Sequence, residues 1–143
     1  MASPRRISVT RFMAAPPATI FDLLADPRRH PLFDGSGTVA GVKEAPVRLA
    51  LGSTFSMDMK MKLGYVTRNR VVVFDENRSI AWHHFARFIW RYDLEAVEGG
   101  TMVTESFDYN RPWGFTIELM NFPERNRVAM EATLQRLEAI VTA

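Results

Sequence analysis

The spacing of apolar residues changes three times along this chain, and the changes limit the folds open to it. An alternating segment comes first. Over Ile7–Met13, Ile7, Val9 and Arg11 share one parity and Ser8, Thr10 and Phe12 the other, which predicts a strand. "APPATIFDLLADP" then places Ile20, Leu23 and Leu24 on one helical face, with Pro17 suited to the first turn and Pro27 as a stop. "RRHPLFDGSG" predicts a second short helical turn or loop closed by glycines. After Gly37 the period becomes two. Thr38–Lys43, Ser53–Leu63, Tyr65–Phe74, Ser79–Phe85, Phe88–Glu98 and Thr101–Tyr109 read as strands, with turns at Gly64, Asp75–Asn77 and Glu98–Gly100. Arg111–Met120 fits neither period. From Pro123 the spacing is helical again: Met130, Leu134, Leu137 and Val141 form one face, Asn121 is placed to cap and Pro123 to fill the first turn.

The order is therefore one strand, two short helices, about six strands in meander and one long helix. An antiparallel sheet this long cannot bury a whole face alone, so it must curl around the terminal helix, with the short helices plugging one end. The predicted class is α+β, a curved antiparallel sheet of six to seven strands gripping a C-terminal helix, in a single domain over 1–143. The strictest strand, "FSMDMKMKLGY", puts Phe55, Met57, Met59, Met61 and Leu63 on one face and Ser56, Asp58, Lys60 and Lys62 on the other. Strands usually prefer β-branched residues. Methionine is unbranched and polarisable, and it adapts to varied shapes.

Composition narrows the function classes. A chain of 143 residues with 47% hydrophobic and 24% charged content suits one globular domain. Eighteen Lys+Arg against 16 Asp+Glu leave only +2, and the arginines are scattered, which argues against a nucleic-acid module. No window approaches the ~20 apolar residues of a membrane span. "MASPRRISVTRF" has no apolar core of a signal peptide. The absence of cysteine rules out disulfides and thiolate chemistry and fits a cytoplasmic location. His30, His83 and His84 with Asp34 do not make a convincing metal site, because adjacent strand residues point to opposite faces. No phosphate-binding loop, dinucleotide fingerprint or nucleophile elbow occurs. We expect no metal and no cofactor.

The stretches "APPATIFDLLADPRRHPLFDGSG", "LGSTFSM", "DENRSIAW", "GGTMVTESFDY" and "RNRVAMEATLQRLEAIV" resemble the START-like helix-grip superfamily (SRPBCC), in particular its bacterial polyketide cyclase/dehydratase-like branch. The resemblance covers nearly the whole chain. It implies an apolar cavity between sheet and terminal helix that holds a lipid, sterol, polyketide or hormone, and in some members cyclisation or dehydration of a polyketide. It implies no catalytic residue, because the superfamily has no universal catalytic motif. It also implies that the segment of Trp113 and Phe115 borders the cavity mouth.

Strand parity nominates the lining: Met57, Met59, Met61, Trp82, Trp90, Tyr92, Phe107 and Tyr109 from the sheet, Met130 and Leu134 from the helix. We take the Val103/Phe107 parity of the last strand as inward. Two polar residues then fall on apolar faces, His84 beside Trp82 and Glu105 between Val103 and Phe107. A histidine and a desolvated carboxyl in one cavity are the parts of an acid/base pair. Each also has a structural reading: His84 at a solvated strand end, Glu105 paired with Arg68, Arg70, Arg87 or Arg91.

Three functions remain open at this point. The first is a carrier or binding protein for a small hydrophobic ligand such as a lipid, a polyketide or another polycyclic metabolite. The second is a polyketide cyclase/dehydratase using His84 and Glu105. The third is a protein-interaction module with a filled interior and an exposed apolar patch. Whether the chain forms a homodimer is also open.

Overall fold

The computed structural model describes residues 5–36, 39–59, 65–83 and 87–143, and for residues 40, 59 and 65–67 the backbone alone. Its strands are β1 (Arg6–Met13), β2 (Val39–Glu44), β3 (Thr54–Met59), β4 (Tyr65–Asp75), β5 (Ser79–His83), β6 (Ile89–Val97) and β7 (Gly100–Asp108). Its helices are α1 (Pro17–Leu24), α2 (His30–Phe33), α3 (Phe115–Leu119) and α4 (Phe122–Val141), with a single 3-10 turn at Pro27–Arg29. Among the described residues the seven strands form one antiparallel sheet, ordered β1-β7-β6-β5-β4-β3-β2. The sheet is curled and grips α4, which is the helix-grip architecture.

The meander runs from β2 at one edge to β7, and β1 then pairs with β7, so β1 and β2 occupy opposite edges. The segment between Met13 and Val39 must cross the width of the sheet. That requirement carries α1 over β6 and lays α2 between β2 and α4. Register shifts between Val71 and Val73 in β4, and at two points in β2, put extra residues into the ladder. Such bulges bend a strand and increase its twist, which helps the sheet curl. The β6–β7 hairpin turns at Gly99, whose φ of +82° is open to glycine at little cost.

The alternation read from the sequence divides the sheet into two faces. The outer face of β1 and β7 is polar, with Ser8 bonded to Ser106 and Thr10 to Thr104, and on β6 Arg91 pairs outward with Asp93. The inner face carries Val9, Met13, Phe55, Met57, Val71, Ile80, Tyr92, Leu94, Val103 and Phe107. Helix α4 lies on β1 and β7 and buries Met130, Thr133, Leu134 and Leu137. Burial of a side chain such as Leu134, which is 0% exposed, contributes about 1.5–3 kcal/mol.

One close approach fixes α4 against the short helices. A side chain on Gly35 would overlap the carbonyl oxygen of Ala129 and the amide nitrogen of Thr133, so the backbones there meet directly. The Gly35 N–H donates to Thr133 Oγ1 at 2.8 Å, and the Arg136 guanidinium donates to the Asp34 carbonyl.

Asn121 precedes α4 as expected but does not cap it through its side chain. It adopts a left-handed backbone, φ 58°, and reverses the chain between α3 and α4. The ambiguous Arg111–Met120 segment contains α3, a five-residue helix with no buried residue. It lacks an apolar stripe because it lies flat on the surface. The strand bounds move by a residue or two from expectation. The ends of the methionine strand and of Ser79–Phe85 fall outside the described residues.

Candidate functional site

Cross-strand register aligns the inner-face side chains in rows. One row runs Val71, Trp82, Trp90, Phe107, Ile7 across β4, β5, β6, β7 and β1. The next runs Phe74, Ile80, Tyr92, Glu105, Val9. Every member of the second row is apolar or aromatic except Glu105.

The aromatic members form two groups. In the first, His30 stacks on Trp82 with ring centres 5.2 Å apart, and Phe33, Phe55 and Tyr92 pack against this pair. In the second, Phe107 lies 4.4 Å from Trp90 and stacks on Tyr109, with Phe88 edge-on and Met130 of α4 above. Tyr92 belongs to the first group and Trp90, two residues before it, to the second. Glu105 stands at the junction, between Val103 of the main core and Phe107 of the second group.

Glu105 is 3% exposed, and its Oε1 has no hydrogen-bond partner among the described residues. Burial pushes its carboxyl up to about 8; the Tyr92 hydroxyl hydrogen bond offsets part of this, and the Asp34 carboxylate adds to it. Tyr92 rises well above the usual phenol range, first from burial and then from Glu105. The pair thus faces the interior as a neutral carboxyl and a neutral phenol at pH 7. Asp34 follows α2, and its oxygens accept from the Ser36 hydroxyl and from the Ser36 and Val39 N–H groups. The pairing of Glu105 with an arginine does not occur in the described ion pairs; Arg91 faces outward to Asp93.

His30 is the histidine of the described interior. Its Nε2 lies 2.8 Å from the Leu24 carbonyl oxygen, to which it donates as the Nε2–H tautomer. Burial lowers its pKa, with partial offsets from the Leu24 bond, Asp26 and Asp34. The sequence held a signal for it, because His30 and Phe33 share a helical face at i, i+3, but a helix of four residues gives a weak pattern.

The structure sets Trp82, Trp90, Tyr92, Glu105, Phe107 and Tyr109 on the inner side of the sheet, Trp82 and Tyr92 in the main core cluster and Trp90, Phe107 and Tyr109 in the second, against which Met130 of α4 packs. Met57 and Leu134 lie in the main core cluster together with Tyr92 and Trp82. Met59 is on β3, with only its backbone described, and Met61 and His84 lie outside the described residues. Trp82 and Trp90 keep partial exposure, although β5 and β6 are central strands and both side chains point inward. The described neighbouring side chains therefore leave part of each indole uncovered. Trp113 is 40% exposed and Phe115 50%, beside the second aromatic group that Ile117 of α3 covers. Two open surface concavities lie elsewhere: one beside β2 lined by Arg28, Pro31 and Val42, the other on the outer face around Arg78 and Asp93. No described helix is long and apolar enough to cross a membrane.

The family model described as polyketide cyclase / dehydrase and lipid transport matches residues 4–142. The protein Rv0088 of Mycobacterium tuberculosis is 38% identical over 95% of this chain, which spans 64% of that relative's length. The crystal structure of NE0264 from Nitrosomonas europaea superposes with a TM-score of 0.76 at 15% identity, covering 99% of this chain and 97% of the other. The solution structure of the Aha1 dimer from Colwellia psychrerythraea gives 0.68 at 15% identity, covering 95% of each. At such identities the structural likeness carries the fold.

Proposed function

The chain belongs to the polyketide cyclase/dehydrase and lipid transport family, and from that premise we propose that it binds a small hydrophobic ligand between the sheet and α4, as a carrier or binding protein. The observation that carries this reading is the pair of inward-facing, partly exposed tryptophans, Trp82 and Trp90, on central strands. Across the β6–β7 ladder from the Trp90 strand stands the buried carboxyl of Glu105, whose Oε1 has no partner among the described residues. Aromatic walls with one or two polar anchors are what small-molecule sites look like. In this reading residues 1–143 act as one domain in the cytoplasm, and Trp90, Phe107, Tyr109 and Met130 touch the ligand directly.

Native mass spectrometry of the purified protein, before and after incubation with a panel of polycyclic and acyl compounds, tests it. The reading expects a one-to-one adduct that survives buffer exchange and weakens when Trp90 is replaced by alanine. A protein that stays free of adduct across the panel would contradict it.

A second reading has support from one observation. A carboxyl near pKa 8 beside a phenol can deliver a proton to a carbonyl or hydroxyl oxygen, as dehydration or aldol cyclisation requires. Under it Glu105 is the proton donor, and His84 would be the matching base. Turnover of a poly-β-keto substrate by the wild type, lost in Glu105→Gln, would favour this over simple carriage.

A further inference from the structure

Helix α3 turns an apolar side outward, and the proposed ligand site makes no use of it. Its inward side is accounted for. Ile117 covers the second aromatic group, and the Glu118 carboxylate accepts from Arg5 Nε, just before β1, at 2.9 Å. A side chain on Gly114 would overlap the Tyr109 carbonyl oxygen, so the entry to α3 lies directly on the backbone after β7. The Gly114 N–H donates to the Arg111 carbonyl, and the Thr116 hydroxyl to that of Trp113. The segment is thus tied down, yet α3 buries none of its residues. Phe115 and Leu119, at i and i+4, stand side by side on its outer face, with Trp113 before them and Met120 after. Leu119 is 80% exposed and Met120 59%. A contiguous apolar surface held in place in this way marks a contact with something outside the chain.

Size, shape and charge choose the occupant. Half of two aromatic side chains with most of a leucine and a methionine amounts to roughly 400–500 Å², short of the ~800 Å² that each partner gives to a standard protein interface. The most exposed side chains protrude, which suits a yielding surface. The flanking acids Glu118 and Glu124 are taken up by Arg5 and Arg127. Arg111 and Arg125 have no acidic partner among the described residues. Arg111 donates to the Asn110 carbonyl, and the Arg125 guanidinium lies over the Phe122 ring at 5.1 Å. Tryptophan, phenylalanine and leucine flanked by arginine suit the headgroup boundary of an anionic bilayer. We propose that α3 and its flanks dock on an anionic membrane surface: Trp113, Phe115, Leu119 and Met120 enter the headgroup–acyl boundary, and Arg111 and Arg125 take lipid phosphates. The contact is peripheral, since no described helix is long and apolar enough to span a bilayer. It does not depend on what the interior holds.

Sedimentation of the full chain with phosphatidylcholine vesicles, with and without one-third phosphatidylglycerol, tests this. The anionic vesicles should bind the protein roughly tenfold more tightly than the neutral ones, and added salt should erase the difference. Phe115→Ser with Leu119→Ser should weaken binding at least about tenfold. Arg111→Gln with Arg125→Gln should remove the preference for the anionic lipid. Val97→Ser, at an exposed position on the far end of the β6–β7 hairpin, should bind as wild type, which separates this face from apolar surface in general. Brominated acyl chains should quench the wild-type fluorescence. Trp113→Phe should bind and lose most of that quenching, because the other two tryptophans, Trp82 and Trp90, point inward. Equal binding to both vesicles, binding to neither, or binding that survives the Phe115 and Leu119 changes would overturn the proposal. A wild-type dimer that those changes abolish, without vesicle binding, would also overturn it and assign the face to a second copy. None of these results bears on a ligand in the interior, which the adduct experiment reads separately.

Discussion

Tyr92 and Glu105 face each other across the β6–β7 ladder, both buried, at the junction of two aromatic groups. The other groups acting on this pair are Val9 from β1, which is apolar, and Asp34 at the end of α2, which is an anion. A carboxyl so placed gains no ion pair, and burial keeps its proton on. It is a cost to the fold that a purely structural core would avoid with leucine.

That cost has a pH signature. Glu105 titrates near 8 when folded and near 4.5 when unfolded. Stability from this group is full below about pH 4.5 and is lost as pH rises through 8, because the unfolded chain ionises first. Glu105→Gln removes the loss. Urea denaturation should show the variant more stable than wild type by on the order of a few kcal/mol at pH 8.5, and close to it at pH 4.5. An equal difference at both pH values would contradict the placement.

His30 acts in the opposite sense. Its pKa is lowered by burial, so its contribution is present above about 6.5 and is lost as pH falls through the folded value. His30→Phe keeps a ring against Trp82 but leaves the Leu24 carbonyl without its donor. The variant should lose about 1–3 kcal/mol at pH 7.5, with the gap narrowing at pH 5. A gap that stays constant or widens in acid would contradict a buried, neutral His30.

The contact between Gly35 and α4 is a matter of backbone space. Gly35→Ala forces α4 away from the turn after α2 and should cost at least about 2 kcal/mol in chemical denaturation. Thr133→Val removes the bond accepted from the Gly35 N–H and the one donated to the Ala129 carbonyl, with no overlap of backbones, and should cost about 1 kcal/mol. Equal costs would mean that the helix can shift freely.

Apolar residues at the two ends of the last helical region differ in role. Leu134→Ala should destabilise by about 2–5 kcal/mol, because the side chain is 0% exposed. Leu119→Ala, at a position 80% exposed in α3, should change stability by less than about 0.5 kcal/mol.

Much of this architecture was legible because the hydrophobic period changes type where the elements change. The face of α4 was readable from Met130, Leu134 and Leu137, since twenty residues repeat a helical pattern many times. The inner face of β7 was readable from Val103 and Phe107, and with it the odd position of Glu105. Shorter elements were less legible. A four-residue α2 gave His30 too little periodicity to be placed inside, and α3 buries nothing and so shows no stripe. The relation of Glu105 to Tyr92 and Asp34 depends on strand register and on the path of the chain across the sheet, neither of which a local pattern encodes.

The proposed function places the ligand inside, against Trp90, Phe107 and Met130. Intermolecular nuclear Overhauser contacts from bound 2-acetylnaphthalene test it most directly. Contacts to the Met130 methyl and to the Trp90 and Phe107 rings are expected. Contacts confined to the exposed Trp113, Phe115 and Leu119 side chains would contradict it and would mark that surface, rather than the interior, as the place where this protein meets its partner.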